Sequence, residues 1–176
     1  MLEPAAVHDE MERARNEFRD LVGQATPADL RRRSDGTRWT NRQLLFHMLF
    51  GYQIVRTLMP LVHRFGKRPD SWSRQFARIL NAGHRPFHVI NYLGSRGGGQ
   101  ALPTSTMIKL MDRTIHSLQH KLDNETEKGL VLTMHFPTAW DPYFQDTMSV
   151  LDVYHYGTQH FDHHHKQLTI SDQEGS

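Results

Sequence analysis

Apolar and polar positions alternate at helical spacing along most of this chain. Val7, Met11, Ala14, Phe18 and Leu21 recur at steps of four and three, which lays one apolar stripe along a helix over 4–23. Pro4 suits its first turn, where the missing N–H is not needed. Thr26-Pro27 then read as the cap and first turn of a short helix, Ala28 to Arg33, ending around Ser34-Asp35-Gly36. A second long helix opens at Thr40, which has capping-box spacing to Gln43. His47, Phe50, Ile54, Leu58 and Leu61 follow at helical steps as its inward stripe, with Pro60 placed to kink its end.

Residues 66–103 are less regular. The pattern predicts a helix near 71–81 and a short one after Pro86. The run Ser95-Arg96-Gly97-Gly98-Gly99-Gln100 reads as a flexible loop. A third long helix is predicted over 104–123, with Pro103 and Thr104 at its start and Met107, Leu110, Met111, Leu118 and Leu122 as its core face. Residues 124–146 form a connection with turns at Gly129, Pro137 and Pro142. Its Phe136, Trp140, Tyr143 and Phe144 are expected to pack over one bundle end. The last helix spans 149–168 and opens on a second capping-box pair, Ser149 and Asp152. Gly157 lies inside it at a cost of roughly 1 kcal/mol against alanine. A close backbone approach, a substrate channel or simple tolerance each account for it. Strand-like alternation is confined to Leu130–Met134, and no repeat is present, so the fold class is all-α.

Composition narrows the function classes. With 38% hydrophobic and 23% charged residues the chain is a globular type, expected to be one domain over 1–170 with a tail at 171–176. Apolar runs are far shorter than the roughly 20 residues that span a bilayer. The N-terminus carries acids early and has no apolar stretch of signal-peptide type, so no membrane partner and a cytoplasmic location are expected. Absent cysteine excludes disulfides, thiolate metal sites and a cysteine nucleophile. The net charge of +2 is weakly basic. Arg31, Arg32 and Arg33 are the only dense basic run and read as a solvated turn. No stripe of Lys/Arg with stacking aromatics is visible, so no nucleic acid is expected as a partner.

Histidine is the anomaly: thirteen in the chain, five of them between 155 and 165. Side chains at i and i+4 share a helix face and can reach one ion. Three pairs have that spacing: His84/His88, His116/His120 and His160/His164. Pro86 interrupts the first, which is not expected on a regular helix. The second lies off the apolar stripe of its helix and reads as an exposed polar face. The third lies in a well-capped helix, while His47 faces inward from another. His155, His163 and His165 read as surface or supporting groups.

Two segments carry a family resemblance. Trp39-Thr40-Asn41-Arg42-Gln43-Leu44-Leu45-Phe46-His47 resembles the W-[ST]-x-x-[EQ]-[VL]-x-x-H segment opening helix two of DinB/YfiT-like proteins. His160-Phe161-Asp162-His163-His164-His165-Lys166-Gln167-Leu168 resembles their last-helix pattern, H-x-x-H-H-x-x-[HQ]-[IL]. The likeness runs from about residue 5 to 168. It implies a four-helix bundle in up-down-down-up order with a long crossover. It also implies metal ligands at His47, His160 and His164, with His163 turned away. The chain departs from the pattern in a long insertion between helices two and three, and in Asp162 and Gly157.

Three imidazoles without a protein anion suit Zn²⁺ or Ni²⁺ over hard oxygen-seeking ions, and three protein ligands leave a position open. The resemblance implies a thiol S-transferase-like enzyme in which the metal activates a low-molecular-weight thiol such as bacillithiol, mycothiol or glutathione against a small electrophile. A metal-hydroxide hydrolase is the alternative, and a non-catalytic metal-binding stress-response protein a third. No carboxylate stands out near the ligands, which favours thiol activation over hydrolysis: Gln43 and Asp152 read as cap residues. Bundles of this size dimerise through exposed faces, so a homodimer is a further expectation.

Overall fold

The computed structural model describes residues 2–170, so the expected tail at 171–176 lies outside the described residues. In chain order the elements are α1 (Pro4–Gln24), α2 (Pro27–Arg31), α3 (Asn41–Phe65), α4 (Asp70–Ala82) and α5 (His84–Ala101). They continue with α6 (Thr104–Asp123), α7 (Glu127–Leu130), β1 (Thr133–His135), β2 (Thr147–Ser149) and α8 (Val150–His165). The fold is all-α apart from one small antiparallel pair, in which Met134 faces Met148.

Helices α1 and α3 both pack against α6 and α8 and so face each other across the diagonal of a four-helix bundle. The connection between α3 and α6 is long and carries α4 and α5. The core is built from the predicted stripes: Val7, Met11, Ala14 and Phe18 of α1 meet Met107, Met111 and Leu118 of α6, all fully buried. Burying a Phe or Met side chain is worth roughly 1.5–3 kcal/mol. Both capping boxes form. Thr40 N–H donates to Gln43 Oε1 at 3.1 Å, and Ser149 N–H donates to Asp152 Oδ2 at 2.8 Å. Gln43 and Asp152 are therefore committed to helix starts.

The α3 stripe differs from its reading. His47 is buried, but Phe50, Ile54, Leu58 and Leu61 are half-buried, and they line a cavity. The fully packed face is Leu45, Met48, Tyr52, Val55 and Val62. Helix α3 is covered on several sides, by α5, α6 and α8, and periodicity does not separate a packed face from a cavity wall. By length and composition α3 is also apolar enough to cross a membrane, yet half of its most apolar window is buried inside the bundle.

The insertion is more ordered than its composition predicts. Residues 95–100 belong to α5 rather than to a loop. Gly98 and Gly99 let α5 lie directly on α3. A Cβ at Gly98 would enter the Phe46 ring, and one at Gly99 would sit 2.7 Å from the Gln43 Cα. Arg42 then ties down the end of α5, donating to the carbonyls of Gly99 at 2.6 Å and Leu102 at 2.8 Å. Pro86 falls in the first turn of α5, where it costs no hydrogen bond, so α5 is long and carries both His84 and His88. The helix after Pro27 stops at Arg31, because Arg32 is extended and Arg33 bridges to Thr40. Pro60 is exposed on α3, which runs through it to Phe65.

Candidate metal centre

Helices α3 and α8 approach closely because each offers a glycine to a ring of the other. A Cβ at Gly51 of α3 would lie 2.7 Å from Cε1 of His160 and nearer still to its Nδ1. A Cβ at Gly157 of α8 would lie 2.7 Å from Cε1 of Tyr52. Close approach is thus the reason for Gly157. The Tyr52 hydroxyl and Thr158 Oγ1, 2.9 Å apart, close the same contact.

This approach brings His47, His160 and His164 together. Each offers one ring nitrogen, and the three nitrogens lie within 4.8 Å of one another. The Nε2 atoms of His47 and His160 are 3.2 Å apart. Two ligands of a tetrahedral ion bound at 2.0–2.1 Å would be about 3.3 Å apart. Two of the three remaining ring nitrogens are engaged elsewhere. His164 Nδ1 donates to Gln167 Oε1 at 2.7 Å, which leaves Nε2 as the acceptor. His47 Nδ1 lies 3.0 Å from Ser95 Oγ of α5, and with its proton there Nε2 is free as well. His160 Nδ1 is buried and has no hydrogen-bond partner, so that ring is held by packing against Gly51. The indole of Trp39 covers His47 at 4.5 Å between ring centres.

All three rings are poised to be neutral. Burial, with the neighbouring histidine charges, lowers the His47 pKa to about 3. Burial lowers His164 to about 4, against the opposing bond to Gln167. Burial, followed by His47 and His164, holds His160 well below the ordinary imidazole value. Neutral imidazole is the metal-binding form. A buried, deprotonated all-nitrogen set matches a borderline transition ion such as zinc or nickel, so the residues present fit the group.

One candidate group is absent from the expectations above. Asp141 Oδ2 lies 4.0 Å from His160 Nε2. It accepts from the Tyr156 hydroxyl at 3.0 Å, and Asp141 Oδ1 accepts from the Tyr143 N–H at 2.9 Å. Burial raises its pKa, against those bonds. A carboxylate does stand beside the histidines, which corrects the expectation that none does. It comes from the connection before β2, and only its place among Phe136, Trp140, Tyr143 and Phe144 hinted at it. Those aromatics pack over the bundle end as expected.

The remaining histidines lie outside the cluster. His116 and His120 are exposed on α6. His155 pairs with Glu10 at 2.7 Å, His163 Nδ1 meets the Tyr143 hydroxyl at 3.2 Å, and His165 faces Glu17 at 3.5 Å. The rings of His84 and His88 are 6.1 Å apart, with no third ligand converging on them among the described residues. Asp162 pairs with Arg13 of α1 at 2.9 Å.

A cavity of about 260 Å³ opens from His47 and His160 between α3, the inserted helices and the Asp141 connection. Fold and site together define a helical bundle with a three-histidine candidate metal centre, two of whose rings, His47 and His160, line an apolar cavity. The sequence model of the DinB superfamily matches residues 10–168, and the chain belongs to that superfamily. No curated protein and no solved structure gave a significant match.

Proposed function

We propose that the chain is a divalent-metal-dependent enzyme that activates a low-molecular-weight thiol for attack on an electrophile. The observation that carries it is the convergence of three neutral imidazoles, His47, His160 and His164, two of which, His47 and His160, line a cavity able to hold an organic substrate. When bound there, a zinc or nickel ion acidifies a coordinated thiol and polarises the reacting centre. In this reading Asp141 takes the thiol proton. The sulfur forms a bond to the electrophilic carbon while the bond to the leaving group breaks. Tyr156 and the Tyr143 N–H hold the Asp141 carboxylate in place for that transfer. Trp39 and Gly51 hold the His47 and His160 rings in register.

Asp141 also favours a second reading, in which the same carboxylate serves water and the reaction is hydrolysis. Incubating the metal-loaded protein with panels of thiols and of alkyl or aryl electrophiles separates the two. Electrophile loss that requires thiol supports transfer, and loss without thiol supports hydrolysis. No turnover at full metal occupancy would leave a binding protein and overturn both. The proposed setting is the cytoplasm, with small molecules as partners. A homodimer reading is supported by Trp72, Ile79, Ile90 and Leu93, all exposed on the inserted helices, and light scattering tests it.

A further inference from the structure

The cavity is divided chemically along its length. Its polar groups near the candidate centre are His47, His160 and Asp141. Beyond them the walls include Phe50, Ile54 and Leu58 of α3, Phe76, Leu80 and Phe87 of the inserted helices, and apolar side chains of β1 and the connection after it. The other polar side chains on the lining, besides the Trp140 indole, are Asn91, Thr57 and Tyr156; the Thr57 hydroxyl is turned to the carbonyl of Gln53 at 3.0 Å, and the Tyr156 hydroxyl donates to Asp141 at 3.0 Å. The roof is fixed rather than loose. Trp140 stacks on Phe87 at 3.8 Å between ring centres, and its indole N–H donates to the Leu80 carbonyl at 2.8 Å. The Ala139 N–H donates to Asn81 Oδ1 at 3.0 Å, which ties the same loop to α4. The indole nitrogen is therefore spent on the scaffold, and the ring offers the cavity an apolar face.

An apolar void of about 150 Å³ stays dry and takes up benzene. The present one is about 260 Å³, larger by the space of a second fused ring. We propose that this chamber binds a mostly apolar molecule of two-ring size, with one polar or reactive end directed at His47, His160 and Asp141. The placement of that end rests on the proposed catalytic reading. The apolar selectivity rests on the walls alone. The insertion, which departs from the family pattern, contributes Phe76, Leu80, Phe87 and Asn91 to the lining and so helps to shape what fits there. Small hydrophilic electrophiles would leave the apolar lining wet and bind poorly.

The test is a fluorescence titration of the full chain with 2-naphthol, as purified and after chelation, beside phenol as the smaller analogue. The expected result is one saturable site for 2-naphthol in both preparations, with phenol weaker by about tenfold or more from its smaller apolar area. Leu58→Trp and Ile54→Phe, which fill the chamber from α3, should each weaken 2-naphthol by about tenfold or more, while His116→Ala leaves it unchanged. Circular dichroism of both variants identifies any that fails to fold, and the other then decides. Absence of saturable binding, or binding indifferent to the folded filling variants, overturns the inference. Retained 2-naphthol binding with no turnover of any electrophile would defeat the proposed function and leave the chamber standing. Turnover of small polar electrophiles without 2-naphthol binding would do the reverse.

Discussion

Gly51→Ala adds one methyl group beside the His160 ring and should damage the metal centre while leaving the helix intact. The new carbon would lie 2.7 Å from His160 Cε1. Carbon atoms rest at about 3.5 Å or more, so the ring must retreat by roughly 0.8 Å, or α8 must move with it. Metal–ligand distances tolerate about 0.2 Å. The retreat therefore spoils the 3.2 Å spacing between His47 Nε2 and His160 Nε2 by several times that margin. A loss of about 10–100-fold in zinc affinity is expected, or roughly 1.4–2.7 kcal/mol. Alanine is the better helix former by about 1 kcal/mol, which offsets part of the strain in the fold. Competition between metal-free protein and a chromophoric chelator measures the affinity, and thermal melts followed by circular dichroism report folding. Gly94→Ala is the control, because a Cβ there meets nothing within 4 Å. It should raise the melting temperature slightly and leave zinc binding unchanged. If Gly51→Ala bound zinc as tightly as the parent, His160 would not be a ligand from this position.

His47→Ala, His160→Ala and His164→Ala should each remove most bound metal, whereas His116→Ala and His120→Ala should not. Elemental analysis of protein purified without nickel resin decides it, and equal contents across the set would refute the centre. Asp141→Asn should keep the metal and lower turnover by about 100-fold, the usual scale for a lost base. Unchanged turnover would remove Asp141 from the reaction. The metal-free chain should lose stability in mild acid. An unfolded histidine takes up a proton near pH 6.5, but His47 and His164 do so only at about 3 and about 4 in the folded chain. Acid therefore favours the unfolded state from about pH 6.5 downward, at roughly 1.4 kcal/mol per pH unit for each ring. At pH 5 the two together cost on the order of 4 kcal/mol, and His160 acts in the same direction. Urea denaturation at pH 7.5 and at pH 5 measures the difference, and identical midpoints would contradict it.

The bundle was legible for a local reason, and the candidate ligands from local spacing together with the family resemblance. Caps such as Thr40 with Gln43 and Ser149 with Asp152 are complete within four residues, and an i,i+4 histidine pair needs only a helix to share a face. The parts that were not legible depend on what approaches from far along the chain. Gly98 and Gly99 look like a loop until Phe46 and Gln43 occupy the space where side chains would be. The stripe Phe50-Ile54-Leu58-Leu61 looks like core until the inserted helices arch over it and leave a gap. Asp141 carries no local mark of its role, because its neighbour His160 is fixed by a different helix.

The same insertion walls one side of the cavity and touches the candidate metal centre. Ser95 of α5 is the residue that meets His47 Nδ1, so the helix that walls the cavity also orients one ligand. Glycines at 98 and 99 make that contact possible by letting α5 lie against the first turns of α3, where Arg42 holds its end. Larger side chains there would lift α5, withdraw Ser95 from His47 and open the chamber together. In the proposed reading, ligand geometry and substrate selection are therefore coupled through one helix-on-helix contact. Divergence of the insertion among bundles of this kind would change substrate class while His160 and His164, carried on α8, stay in place.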